Sequence, residues 1–224
     1  MRIRYLGHSA FEITHDQWNL LIDPFITGNP VCPVKAEELN PQYILVTHLH
    51  SDHLGDTVAI ARRTGATVIT SADAGYELAR EGVKVADMAL GGKRRFDFGL
   101  VRMALAYHGF GPTGGHANGF VIHLGGRRIY HAGDTALFSD MKLLNGVIEE
   151  PGIDVALLPI GDHYTMGPED AATAVQWIQP RVVIPMHWGT FPLLVQDPSD
   201  FVERVRAAGG TEPVVLRPGE TYEL

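Results

Sequence analysis

The sequence predicts an α/β protein in which two sheets lie face to face with helices on the outside. Three observations carry this expectation. Short β-prone runs alternate with amphipathic helical runs, and both halves of the chain follow the same order of strands then helices. No Pro/Ser-rich linker, low-complexity run or short-period repeat divides them, so residues 1–224 are expected to form a single domain.

The first third reads as strands. Residues 3–6, 10–14 and 18–22 are β-prone, separated by Gly7-His8 and His15-Asp16, which read as hairpin turns. Residues 44–47 form a continuous apolar run of the kind buried on both faces. Helical character follows over 56–63 and 73–80 with a strand over 66–70 between them, and that alternation implies parallel pairing.

In the second half, 100–106, 119–124 and 127–131 read as strands, the last two joined by Gly125-Gly126 as a hairpin turn. Residues 137–144 read as helical and 155–159 as a strand. The clearest helix is 168–178. Pro168 suits its first position, Glu169 and Asp170 favour its positive end, and Ala171, Ala174, Val175 and Ile178 share one face. A strand at 182–184 and a helix at 199–208, capped by Ser199 and stopped by Gly209-Gly210, complete the pattern.

Hydrophobic residues make up 45% of the chain and charged residues 20%, which suffices for a sizeable core. The formal net charge of -8 argues against a nucleic-acid groove, and the basic triplet Lys93-Arg94-Arg95 reads as a solvated turn between strands. Cys32 is the only cysteine, which excludes an intrachain disulfide and a Cys-rich zinc site. The N-terminus lacks the apolar stretch of a signal peptide, and no run approaches bilayer length. A cytoplasmic protein without a membrane partner is therefore expected, with a homo-oligomer open.

Residues 48–53, His-Leu-His-Ser-Asp-His, hold four potential metal ligands in six positions directly after an apolar run. As cations these imidazoles would repel one another, and as neutral groups each needs a hydrogen-bond partner. Imidazole and carboxylate together suit zinc, iron, manganese or related ions. Further candidates fall where strands are expected to end: His108, Asp134 in His131-Ala132-Gly133-Asp134-Thr135, and His187 in Pro185-Met186-His187-Trp188-Gly189. Strand ends are rigid places from which to gather ligands distant in sequence.

This ordered set resembles the metallo-β-lactamase-fold superfamily, whose hallmark is HxHxDH. The resemblance covers essentially the whole chain: Leu21-Ile22-Asp23-Pro24, the 48–53 cluster, an isolated His, Gly133-Asp134-Thr135 and a final His187. Tyr130–Thr135, Tyr164–Ala171 and Pro185–Thr190 make it look like the small stand-alone metal-dependent hydrolases related to ascorbate-6-phosphate lactonase.

The resemblance implies a four-layer αββα sandwich of two mixed sheets, with a dinuclear centre. His48, His50 and His108 would hold one ion, Asp52, His53 and His187 the other, and Asp134 would bridge them. Two divalent ions are implied, zinc first, with manganese and iron as alternatives. A shared carboxylate offsets part of the repulsion between dications roughly 3.5–4 Å apart, and metal activation brings the pKa of water toward about 7. Asp23 is expected to hold a ligand imidazole or the 48–53 loop in place.

The implied activity is hydrolysis of an ester, lactone or phosphodiester in a small, anionic substrate, with Asp52 or His163 passing a proton to the leaving group. His163 precedes a helix N-terminus that suits an anionic group. His8 is balanced between active-site wall and ordinary turn. His116, in the glycine-rich stretch 109–119, reads as solvent-facing, with a mobile lid as the alternative, and His108 is preferred to it as ligand. His15, His123 and His131 read as turn or strand residues, and the 25–30 loop as pocket rim. Two alternatives remain: a di-iron redox or oxygen-handling protein on the same fold, and a non-catalytic metal-dependent sensor.

Overall fold

A computed structural model describes residues 1–111 and 115–224. The chain begins with β1 (Arg2–Gly7), β2 (Ala10–His15) and β3 (Trp18–Ile22), an antiparallel meander. Next come β4 (Tyr43–Leu45), the single-turn α1 (Ser51–Leu54), α2 (Thr57–Thr64), β5 (Thr67–Ser71), α3 (Ala72–Arg80) and β6 (Lys84–Met88). As the strand–helix alternation requires, β3 to β6 pair in parallel.

The second half contains β7 (Lys93–Phe96), β8 (Gly99–Leu105), β9 (Asn118–Leu124), β10 (Arg127–His131) and β11 (Val155–Pro159). It continues with α4 (Pro168–Ile178), β12 (Val182–Met186), α5 (Ser199–Ala208), β13 (Glu212–Pro213) and β14 (Thr221–Glu223). Two seven-stranded mixed sheets result, ordered β14-β1-β2-β3-β4-β5-β6 and β13-β12-β11-β10-β9-β8-β7. The last strand pairs antiparallel with the first, so opposite ends of the sequence share a sheet edge.

Side-chain alternation builds the layers. Ile3, Tyr5, Leu20 and Ile22 join Met103, Phe120 and Ile122 of the other sheet in one core, whereas Leu6, Leu21, Ile44 and Val68 meet Ile60 and Leu78 of α2 and α3. On the second sheet, Ala171, Val175 and Ile178 of α4 and Phe201 and Val205 of α5 extend the larger core. A fully buried side chain of this size stabilises the fold by about 1.5–3 kcal/mol. Among the described residues no helix is long and apolar enough to cross a membrane.

Four local expectations are corrected. Lys93-Arg94-Arg95 is an edge strand, β7, not a turn. Its charged side chains blunt an unpaired edge, which erases the apolar alternation that would mark a strand. The helical segment expected over 137–144 is a 3-10 helix that begins only at Ser139. Pro198, not Ser199, occupies the cap position of α5, and the Ser199 hydroxyl donates to Asp197 Oδ1 at 2.6 Å. β4 stops at Leu45 because the Thr47 N–H turns to the Asp23 carboxylate, 2.8 Å away, and leaves the ladder.

One buried ionic cluster lies away from the strand ends described below. Arg102 Nε donates to Glu149 Oε1 at 2.5 Å, and His123 Nε2 lies 2.7 Å from Glu149 Oε2. Arg102 also donates to the carbonyls of Gly91 and Ile148, so β8 holds the segment that follows the 3-10 helix.

Candidate metal centre

The 48–53 loop leaves β4 in extended conformation and closes into α1, with His50 as its N-terminal flank. This change of backbone lets ligands at alternate and adjacent positions converge. Gly55 seals the turn at φ +44°, where a Cβ would lie 2.2 Å from the Pro24 carbonyl oxygen. Asp56 completes the seal by accepting the backbone N–H groups of Ile26 and Thr27 at 3.1 and 2.7 Å. The Asp23-Pro24-Phe25 turn and the histidine loop are thereby locked together.

His48, His50 and His108 bring one nitrogen each within 4.8 Å of one another. His8, Asp52, His53 and His187 form a second such group, and His48, His53 and Asp134 a third that links them. Asp134 occupies the join. Its Oδ2 lies 3.2 Å from His53 Nε2, 3.1 Å from His187 Nε2 and 3.5 Å from His108 Nε2. Gly133 makes this position accessible at φ +63°, where a Cβ would press to 2.6 Å from the Asn118 carbonyl oxygen. His131 supports the same turn by accepting the Gly133 N–H at 3.1 Å, and its Nε2–H donates to the Ser9 carbonyl at 2.9 Å.

A buried relay orients the imidazoles. The Thr47 hydroxyl donates to Asp23 Oδ2 at 2.7 Å and therefore accepts from His48 Nδ1–H at 2.9 Å, which leaves the lone pair on His48 Nε2. His53 Nδ1–H donates to the same Asp23 oxygen at 2.8 Å, which turns its Nε2 toward Asp134. Asp23 thus acts on the loop as expected. His8, Asp23 and His187 all adopt positive φ, at 60°, 43° and 58°. Such conformations in non-glycine residues store strain that the surrounding structure must hold.

The electrostatics call for a cation. His48 is fully buried, and burial foremost, then the nearby His53, depresses its pKa to about 2, so it is neutral. Burial opposes charge on His53, but Asp134 and Asp23 on either side hold its pKa well above the usual value. Burial likewise opposes charge on Asp134, yet His187 and His53 keep it ionised. Asp134 Oδ1 and His53 Nε2 are buried without a hydrogen-bond partner. Orphaned buried donor atoms flanked by carboxylates fit a bound divalent metal, whose ligands they become.

The site opens into a cavity of about 500 Å³ lined by His50, Asp52, His108, Asp134 and His187 on the floor and by Phe25, Tyr164, Phe191, Pro192 and Leu193 among the walls. Of the two groups expected to move a proton, Asp52 faces this cavity. His163 is exposed, packs edge-on against Tyr164 with centroids 4.4 Å apart, and is not among the lining residues. Phe25 represents the anticipated rim loop. His116 is exposed, and residues 112–114 of the glycine-rich stretch, on which the lid alternative partly rests, lie outside the described residues.

His8, which sequence reasoning left undecided, is fully buried in the site. Its Nε2 lies 3.1 Å from Asp52 Oδ2 and its ring centroid 4.0 Å from that of His187. Burial foremost lowers its pKa to about 4, so the neutral ring donates from Nε2 to the Asp52 carboxylate. Burial would raise the Asp52 pKa, but the His8 hydrogen bond and nearby imidazoles hold it below the ordinary value.

A model of the β-lactamase superfamily domain matches residues 2–187. A UPF0173 metal-dependent hydrolase of Symbiobacterium thermophilum is 83% identical over 100% of both chains. A UPF0173 metal-dependent hydrolase of Thermus thermophilus is 46% identical, covering 100% of this chain and 99% of the relative. Among solved structures, a metallo hydrolase from the hyperthermophilic archaeon Ignicoccus hospitalis superposes with a TM-score of 0.92 at 35% identity, over 100% of this chain and 98% of that one.

Proposed function

The chain belongs to the β-lactamase superfamily and is a metal-dependent hydrolase, and from that premise we propose that it uses two divalent ions to cleave an ester, lactone or phosphodiester of a small molecule. The observation that carries the reading is the position of Asp134, whose one oxygen lies within 3.5 Å of imidazoles from both ligand groups. In this reading His48, His50 and His108 would hold one ion and Asp52, His53 and His187 the other, with Asp134 available to both.

Zinc, manganese and iron all suit this nitrogen and oxygen donor set. When bound, the ions supply water activation at neutral pH and charge stabilisation at the scissile bond. The protein's own groups do the rest. Asp23 and Thr47 fix the tautomers of His53 and His48, so their lone pairs face the centre. His8 donates to Asp52 and sets its orientation. We assign proton transfer to Asp52, because it faces the cavity while His163 needs a rearrangement of its loop to enter. The reading takes residues 1–224 as one hydrolase domain, consistent with the pairing of β14 with β1.

A panel of esters, lactones and phosphodiesters on metal-replete protein tests this. Turnover should vanish on exhaustive chelation and return with zinc or manganese. Hydrolysis that survives complete metal removal, or iron with a redox-dependent spectrum and no hydrolysis of any class, would overturn it.

A further inference from the structure

We infer that the substrate is an uncharged carboxylic ester, thioester or lactone whose scissile bond carries an aliphatic or aromatic group with no anionic charge of its own. This rests on the hydrolase reading above and names the substrate class of that same site.

The walls decide it. Phe25 and Phe191 stand with ring centroids 6.2 Å apart, and Pro192, Leu193 and Tyr164 continue an apolar face beside the candidate ligands. Leu193 is 64% exposed and Tyr164 54%, so large hydrophobic side chains are presented to solvent at the entrance to a site. An apolar surface next to convergent polar groups is the pattern of a small-molecule pocket, and about 500 Å³ accommodates a medium-sized acyl or aryl group.

Charge points the same way. No lysine or arginine is among the described residues lining the cavity, whose fixed charges are the carboxylates of Asp52 and Asp134. The helix end expected to suit an anion is itself surrounded by carboxylates. A Cβ at Gly167, the cap of α4, would lie 3.0 Å from Asp162 Oδ1, and the first turn carries Glu169 and Asp170. None of these residues lines the cavity. A phosphate or carboxylate remote from the reacting bond would lose water and gain no cationic partner. An apolar substrate is therefore inferred in place of the anionic one expected from the sequence. The reaction needs no co-reactant beyond water. Its oxygen bonds to the acyl carbon, the bond to the leaving oxygen or sulfur breaks, and a carboxylate, a proton and an alcohol or thiol result.

Calorimetric binding of n-alkyl hydroxamates from acetyl to octanoyl to the metal-replete full chain tests the inference without requiring turnover. Affinity should rise about fourfold per added methylene until the cavity is full. The counterpart with a terminal phosphate should bind at least tenfold more weakly than the unsubstituted chain of equal length. Phe191→Ala and Leu193→Ser should flatten the series while metal content stays unchanged. A flat series in the wild type, tighter binding of the phosphate-ended ligand, or no binding by any member overturns the inference. The matching p-nitrophenyl esters separate it from the hydrolase reading. A retained chain-length preference in binding with no hydrolysis of any ester, lactone or phosphodiester fails the hydrolase reading and leaves the apolar pocket standing, whereas hydrolysis without preference fails the apolar assignment alone.

Discussion

Asp23 Oδ2 and His53 Nδ1 are 2.8 Å apart, and both side chains are fully buried although 30 residues separate them in sequence. The same carboxylate receives the N–H and hydroxyl of Thr47. One aspartate therefore sets the exit of β4 and the direction of a candidate ligand.

Asp23→Asn should keep the fold and weaken metal binding about 10–100-fold, the usual loss when the partner of a ligand imidazole is removed. Equilibrium dialysis against buffered zinc, with circular dichroism as the folding control, measures it. Unchanged affinity would mean that His53 needs no orienting carboxylate.

Gly55→Ala should destabilise the protein by about 2–4 kcal/mol, combining overpacking with left-handed strain. The new methyl would meet backbone atoms only, at 2.2 Å from Pro24 O, 2.6 Å from Pro24 C and 2.7 Å from Phe25 Cα. Urea denaturation reads the loss, and metal affinity should fall with it because this contact positions the 48–53 loop. A fully stable variant would contradict the close approach.

Glu149→Gln tests a structural role far from the chemistry. Burial opposes charge on Glu149, but its hydrogen bonds from His123 and Arg102 lower its pKa below the ordinary value. A carboxyl depressed on folding stabilises the protein fully above its unfolded pKa, and that contribution is lost as pH falls through the folded one. The variant should therefore be about 3 kcal/mol less stable at pH 7. The gap should close as acid titrates the wild-type carboxylate below the usual glutamate range. Denaturation midpoints at pH 7 and pH 3.5 check the sign, and metal content should not change. A gap that widens in acid would contradict the account.

The legible parts of this molecule are those that periodicity or proximity records. β3, β10, β11, α4 and α5 fall where alternating or helical apolar spacing places them, because each buries one face against a core. The 48–53 cluster is visible because four candidate ligands fall within six positions. Lys93–Phe96 is illegible as a strand because an edge carries charge instead of alternation. His8, in Gly7-His8-Ser9, stays balanced between active-site wall and turn in the sequence, since the Asp52 it contacts lies 44 residues away. His163 and Tyr164 are adjacent, yet only the tyrosine lines the cavity, a difference made by loop conformation alone. Phe191 and Leu193 follow no period, so their place in the wall emerges only when the chain after β12 folds back over the site.

The central claim is that one carboxylate joins two metal positions, and metal stoichiometry of Asp134→Ala beside the wild type tests it most directly. Mass-spectrometric metal analysis after loading with zinc and removal of the excess should give two ions per wild-type chain and one or fewer in the variant, with hydrolysis abolished. Two tightly held ions and full activity in Asp134→Ala, or a single ion in the wild type, would contradict it.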